Sequence, residues 1–215
     1  MVEPTPIPRV FHRVWFGGPM PAELEAYGET FRRHHPDWTF RVWSERNLPP
    51  LRNQRLFERA SSYAQKADIA RLEILHRFGG VYVDADVECL RPFDGGLLQS
   101  VTCFCAEESP RYYCTAILGS VPGHPLIDAV IRAMPVAVAA APGAGPVVQT
   151  GPVLFTRVLH DRQERGLDDV VVFPSALFYP YHWSEPHKRR GPFPHAYAVH
   201  HWAGSWKQQL GKPLA

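Results

Sequence analysis

A helix that runs without a spacer into a strand restricts the fold of this chain more than any other stretch of it. Residues 62–78 place Tyr63, Ala67, Ala70, Ile74 and Phe78 on one helical stripe, and Ser62 and Gln65 stand where a capping box needs them. Gly79-Gly80 then ends the helix, as glycine does where the backbone must turn left-handed. Residues 81–87 follow at once with strand alternation. Val81, Val83, Ala85 and Val87 fall on one face and Tyr82, Asp84, Asp86 and Glu88 on the other. A helix joined to a strand by two glycines has to fold back along it, so the chain is expected to be a layered α/β protein.

The flanking sequence extends this pattern. Residues 7–16 read as a first strand closed by Gly17-Gly18-Pro19, residues 24–35 as a helix, and residues 39–43 as a second strand, a β-α-β opening. Beyond Pro92 strands are expected at 101–106 and 113–118 and a helix at 125–134. Residues 137–145, rich in Ala, Gly and Pro, read as a mobile loop. A helix from Pro152 to about 165 and strands at 170–173 and 197–202 complete the reading. No internal repeat is visible. The fold class is therefore α/β in one domain, 1–215, with a mixed central sheet flanked by helices.

With 215 residues, 45% of them hydrophobic, the chain can bury a full core. A formal charge of +2 supplies no basic field for nucleic acid. No stretch reaches the roughly 18 apolar residues of a membrane span, and the start lacks a secretory pattern, so no integral membrane segment and a cytoplasmic location are expected. The Ala, Arg and Pro content suggests a bacterial source. Cys89, Cys103, Cys105 and Cys114 lack metal-ligand or disulfide spacing; free, buried thiols are expected, with Cys103 and Cys105 on one strand face.

Asp84 and Asp86 carry the chemistry. Two carboxylates on one side of a strand that buries its other side are costly unless paired. Hard oxygen ligands at that spacing suit Mg²⁺ or Mn²⁺, with open positions for phosphate oxygens. Such an ion can neutralise a diphosphate as it leaves a sugar. The plain alternative is a solvated D-x-D at a strand end.

The run Ala67-Asp68-Ile69-Ala70-Arg71-Leu72-Glu73-Ile74-Leu75, followed by Phe78-Gly79-Gly80-Val81-Tyr82-Val83-Asp84-Ala85-Asp86, resembles the D-x-D signature of glycosyltransferase family thirty-two. Mannosyltransferases, α-1,4-galactosyltransferases, capsule enzymes and, more distantly, glucosylating clostridial toxins are of this type. Residues 8–17, 151–157 and 198–202 resemble the family's opening strand, Gly-Pro segment and closing strand, while 91–149 shows little match. The resemblance implies a GT-A fold, with residues 7–90 as a Rossmann-like, nucleotide-binding donor half and 91–215 as the acceptor side and closing metal-binding strand, and a metal-dependent, retaining transferase. Its partners would be a UDP- or GDP-sugar donor and an acceptor the sequence does not identify.

It also implies roles for individual residues. Trp15 would stack on the donor base, against the alternative of a core tryptophan. Asp68 and Arg71, three apart on one helical face, would contact the donor sugar and phosphate rather than form a plain ion pair. Asp84 and Asp86 would hold the ion, with Tyr82 beside them on the donor side. Ser205 and Trp206 would cap the diphosphate. His200 and His201 face opposite ways on a strand, so one of them can complete the metal shell. The A-V-H-x-W pattern favours His200, whereas a spacing with Gly204 and Lys207 favours His201; His200 is preferred.

Three further readings come from the residues themselves. Gln149 and Thr150 precede a helix start whose free N–H groups attract anions, which makes Gln149 a candidate catalytic group. Tyr179, Tyr181, His182 and Trp183 form an aromatic group that can hold an acceptor or simply pack. Residues 187–190 read as a solvated basic loop, with contact to a phosphorylated acceptor as the alternative. The rivals are a sugar-nucleotide-binding module without catalysis and a D-x-D phosphatase. The phosphatase normally starts near its D-x-D strand, whereas about eighty residues precede the pair here.

Overall fold

β1 (Val10–Val14) and β2 (Thr39–Trp43) pair in parallel across α1 (Ala22–His34), because two parallel neighbours need a crossover between them. This is the expected β-α-β opening. β1 is shorter than expected, since Pro8 has no N–H to give and Gly17 and Gly18, at φ 86° and 120°, turn the chain away. The computed structural model describes residues 6–93 and 96–204. Among the described residues no helix is long and apolar enough to cross a membrane.

A short helix that the sequence reading did not foresee, α2 (Gln54–Glu58), precedes α3 (Tyr63–Phe78). The start of α3 is capped as expected. The Ser62 hydroxyl accepts the Gln65 N–H at 3.2 Å, and the Gln65 side-chain oxygen reaches back to the Ser61 N–H at 2.8 Å. At the other end Gly79 has φ 62° and Gly80 φ 96°, and a Cβ on Gly80 would lie 2.5 Å from the Val10 carbonyl oxygen. Only glycine lets the chain turn this tightly against β1.

β3 (Gly80–Val83) leaves that turn between β1 and β6 (Tyr112–Ser120), parallel to the first and antiparallel to the second. With β5 (Cys103–Ser109) and β7 (Val171–Phe173) they form one sheet in the order β2-β1-β3-β6-β5-β7. β4 (Val87–Cys89) and β8 (Ala198–His200) make a separate antiparallel pair. The single strand expected at 81–87 is therefore two strands. Past Val83 the chain leaves the sheet through a turn at Asp84–Asp86, closed by Val87 N–H to Asp84 O at 3.2 Å. This turn, not a shared strand face, sets the two carboxylates.

α4 (Pro125–Ala140) corrects a second expectation, because helix continues well into the stretch read as a loop. Pro135 cannot bond the Ile131 carbonyl, and the Asn53 side chain takes that bond instead at 2.9 Å. The alanines that follow then propagate the helix. α5 (Pro146–Gln149) and α6 (Pro152–Gln163) complete the helical layer. One face of the sheet packs Tyr82, Cys103, Cys105 and Leu118 against Ile69, Ile74 and Leu126. The other packs Phe11, Val81, Val83, Phe104 and Ile117 with Phe31 and Phe93. All four cysteines are free and buried, and Cys103 and Cys105 share a face as expected.

Candidate functional site

The carboxyl end of β3 gathers Arg71, Asp68, Asp84 and Asp86. Arg71 projects from α3 and is buried. Its guanidinium donates to the Thr115 carbonyl at 2.7 Å and the Thr115 hydroxyl at 3.0 Å, and pairs with Asp68 at 3.1 Å and Asp84 at 3.2 Å. Every side of the fork is used, which fixes its plane. Burial works against its charge, yet Asp84, Tyr82 and Asp68 outweigh it and raise its pKa, so the guanidinium is permanently charged. The same Asp84 oxygen that faces Arg71 also accepts the Tyr82 hydroxyl at 2.8 Å.

Asp68 is buried and accepts the Thr150 hydroxyl at 2.9 Å. Burial pushes its carboxyl up to about 6 against the opposing pull of Arg71 and Thr150. Gln149 is buried beside it with both ends of its amide taken. Its nitrogen donates to the Ala141 carbonyl and its oxygen accepts from Gln65, each at 2.7 Å. The side chain therefore braces α5 against α3.

Asp86 faces β8. One carboxylate oxygen lies 3.1 Å from His200 Nε2, and the other accepts the Ala203 N–H at 2.8 Å. Burial alone would raise this carboxyl, but His200 and the Ala203 N–H win and hold it below the usual carboxylate range. Asp86 in turn overrides desolvation at His200 and pushes that imidazole well above its ordinary value, helped by the neighbouring Cys114 thiol. His201 points the other way, to Glu88 at 2.8 Å, with its ring stacked on Tyr27 at 4.6 Å. Strand alternation thus brings His200, not His201, to the aspartates. Ligand atoms of Asp84, Asp86 and His200 lie within 4.8 Å of one another, the one such group among the described residues. Two carboxylates and an imidazole are a donor set that fits Mn²⁺ or Mg²⁺.

Trp15 extends β1 through its N–H to the Trp43 carbonyl at 2.9 Å. Half-buried, it lines a cavity of about 710 Å³ with Arg13, Gly18, Met20, Ser44 and one face of α1. Its indole N–H is buried without a partner among the described residues. Tyr181 is buried with its ring stacked on Phe193 at 5.9 Å. Trp183, 58% exposed, leans on His182 at 4.8 Å, and His182 approaches Trp202 at 6.3 Å. Ser205, Trp206 and Lys207 lie outside the described residues. Thr115 and the Ala203 N–H escaped the sequence reading. A backbone donor leaves no trace in a side-chain pattern, and Thr115 sits in the stretch with little family match.

Known proteins resemble this chain in sequence and in fold. The model of the glycosyltransferase sugar-binding region containing a DXD motif matches residues 21–102. Inositol phosphoceramide mannosyltransferase 1 of Schizosaccharomyces pombe is 31% identical over 135 residues, covering 59% of this chain and 42% of that protein. The chain thus spans less than half the length of that curated relative. Among solved structures, the glycosyltransferase PaToxG superposes with a TM-score of 0.61 at 19% identity, over 76% of this chain and 72% of the other. The UDP-bound glycosyltransferase domain of the YGT toxin gives 0.55 at 12% identity, over 78% and 79%. The fold is that of GT-A glycosyltransferase domains.

Proposed function

We propose that this chain, which carries the DXD-containing sugar-binding region of glycosyltransferases, transfers a sugar from a nucleoside diphosphate donor to a hydroxyl acceptor, with Mn²⁺ or Mg²⁺ held by Asp84, Asp86 and His200. One observation carries the reading: three ligand-bearing side chains from two separate strand ends converge within 4.8 Å, beside a buried, fixed guanidinium. When bound, the ion would supply positive charge to the departing diphosphate. Arg71 adds a second positive charge that needs no reorganisation, because Thr115, Asp68 and Asp84 already hold it. Asp68, fixed by Thr150, would accept donor-sugar hydroxyls. Trp15 offers its indole face to the base within the cavity it lines.

The mannosyl transfer named for the fungal relative and the UDP named for the toxin domain support a UDP- or GDP-hexose as donor. The exposed Trp183 face is the acceptor platform. Transfer proceeds with retention, the departing diphosphate oxygen taking the acceptor proton. A reducing, cytoplasmic setting belongs to the same proposal, supported by the four unpaired thiols.

A thermal-shift panel of UDP, GDP and their sugars, with and without Mn²⁺, tests the reading. One nucleotide should stabilise the wild type only when Mn²⁺ is present, and Asp86→Asn should remove that dependence. Stabilisation that ignores the cation, or persists in Asp86→Asn, refutes it.

A further inference from the structure

We infer that Trp202 is the positioning residue of the Asp86–His200 pair; the inference rests on the cation site proposed above. The first observation is its backbone. Trp202 has φ 51°, in the left-handed region, and among the described residues the only other non-glycine there is Ser100. A bulky aromatic adopts this conformation at a cost on the order of 1–3 kcal/mol, so its surroundings must enforce it.

The product of that strain is a reversal of the chain directly over Asp86. β8 ends at His200, the His201 N–H donates to the Asp86 carbonyl at 2.9 Å, and after the left-handed step the Ala203 N–H donates to the Asp86 carboxylate at 2.8 Å. With Trp202 extended, strand geometry would carry the Ala203 N–H onward, away from the turn. The strained residue thus aims a backbone donor at one Asp86 oxygen while His200 faces the other.

The second observation is the ring. The Trp202 indole lies 4.0 Å from the His200 ring at 39° to it, and its own N–H donates to the Tyr181 carbonyl at 3.1 Å. Tyr179 meets His200 edge-on at 6.0 Å. The imidazole is therefore held between two aromatic rings with Nε2 toward Asp86, and the indole covering it is tied down by a bond of its own. Partners that orient a ligating histidine act through the ligand rather than on the substrate, and their loss lowers metal affinity.

The test is Mn²⁺ affinity in the presence of UDP, read by the paramagnetic resonance signal of the free ion, with circular dichroism and thermal melting to verify the fold. Trp202→Ala should weaken Mn²⁺ binding about tenfold. Trp202→Gly should weaken it as much although glycine relieves the backbone, because the ring is lost. Trp202→Phe, which keeps an aromatic face, should lose less. Trp202→Leu fills the volume without an aromatic face and supplies the measurement if Trp202→Ala does not fold. In donor hydrolysis the Mn²⁺ concentration needed for half-maximal rate should rise while kcat at saturating Mn²⁺ is retained. A folded Trp202→Ala or Trp202→Leu protein that binds Mn²⁺ as wild type does overturns the inference alone. A wild type that binds no Mn²⁺, or binds it unchanged after Asp86→Asn, removes the cation site and this inference together.

Discussion

Replacing His12 with Gln should flatten one component of the pH dependence of stability. His12 is fully buried in β1, where its Nδ1 accepts the Trp43 indole N–H at 3.0 Å and its Nε2 faces the Gly79 carbonyl at 2.9 Å. The indole has only a proton to offer, so Nδ1 must be bare and Nε2 carries the hydrogen. Protonation would set two N–H groups against each other, and burial already lowers this imidazole to about 4. The folded pKa lies below the unfolded value of about 6.5, so the unfolded chain binds the extra proton between those limits. The stabilisation is complete above about pH 6.5 and is lost as pH falls toward 4. A shift of that size corresponds to about 3 kcal/mol. Asp68 works in the opposite direction. Its folded pKa of about 6 lies above the unfolded value, so its contribution is complete at low pH and is lost as pH rises through 6. The two slopes oppose each other in the wild type, which is why the variant is needed. Urea unfolding at pH 7.5, 6, 5 and 4.5 should show wild type losing ground to His12→Gln as pH drops, by about 2.5 kcal/mol over this range. Parallel profiles for the two proteins would refute the neutral, doubly bonded imidazole.

Three further outcomes follow from the site. Gly80→Ala should destabilise by on the order of 3 kcal/mol, read as a lower urea midpoint, because its Cβ would sit 2.5 Å from the Val10 oxygen at a φ of 96°. Arg71→Lys should cut kcat/KM for donor hydrolysis about a hundredfold, since one ammonium cannot bond Thr115 and two aspartates together. Trp183→Ala should lower transfer to a sugar acceptor about fivefold, the equivalent of about 1 kcal/mol of stacking, while donor hydrolysis by water stays unchanged.

What could be read along the chain was whatever depends on near neighbours in sequence. The cap at Ser62, the stop at Gly79-Gly80, the alternation of Cys103 and Cys105 and the β-α-β opening all follow from spacing over a few residues, and all are present. The same periodicity misjudged residues 81–87. Alternation reports which residues avoid water, but it cannot tell a continuous strand from two buried strands joined by a turn. The helix through Pro135 was equally hidden, because the Asn53 amide that satisfies the freed Ile131 carbonyl comes from 78 residues earlier.

From sequence alone, then, come the α/β class, the helix–glycine–strand unit and the acidic pair that points to a cation. Tertiary structure decided which histidine joins that pair, since β4 and β8 had to meet in register before His200 turned inward and His201 outward. It also decided what holds the pair in place: a buried arginine anchored on β6 and a strained tryptophan after β8. Those choices depend on groups far apart in sequence arriving within hydrogen-bond reach, 44 residues for Arg71 and Thr115 and 114 and 117 for Asp86 with His200 and Ala203, and local pattern carries no information about that distance.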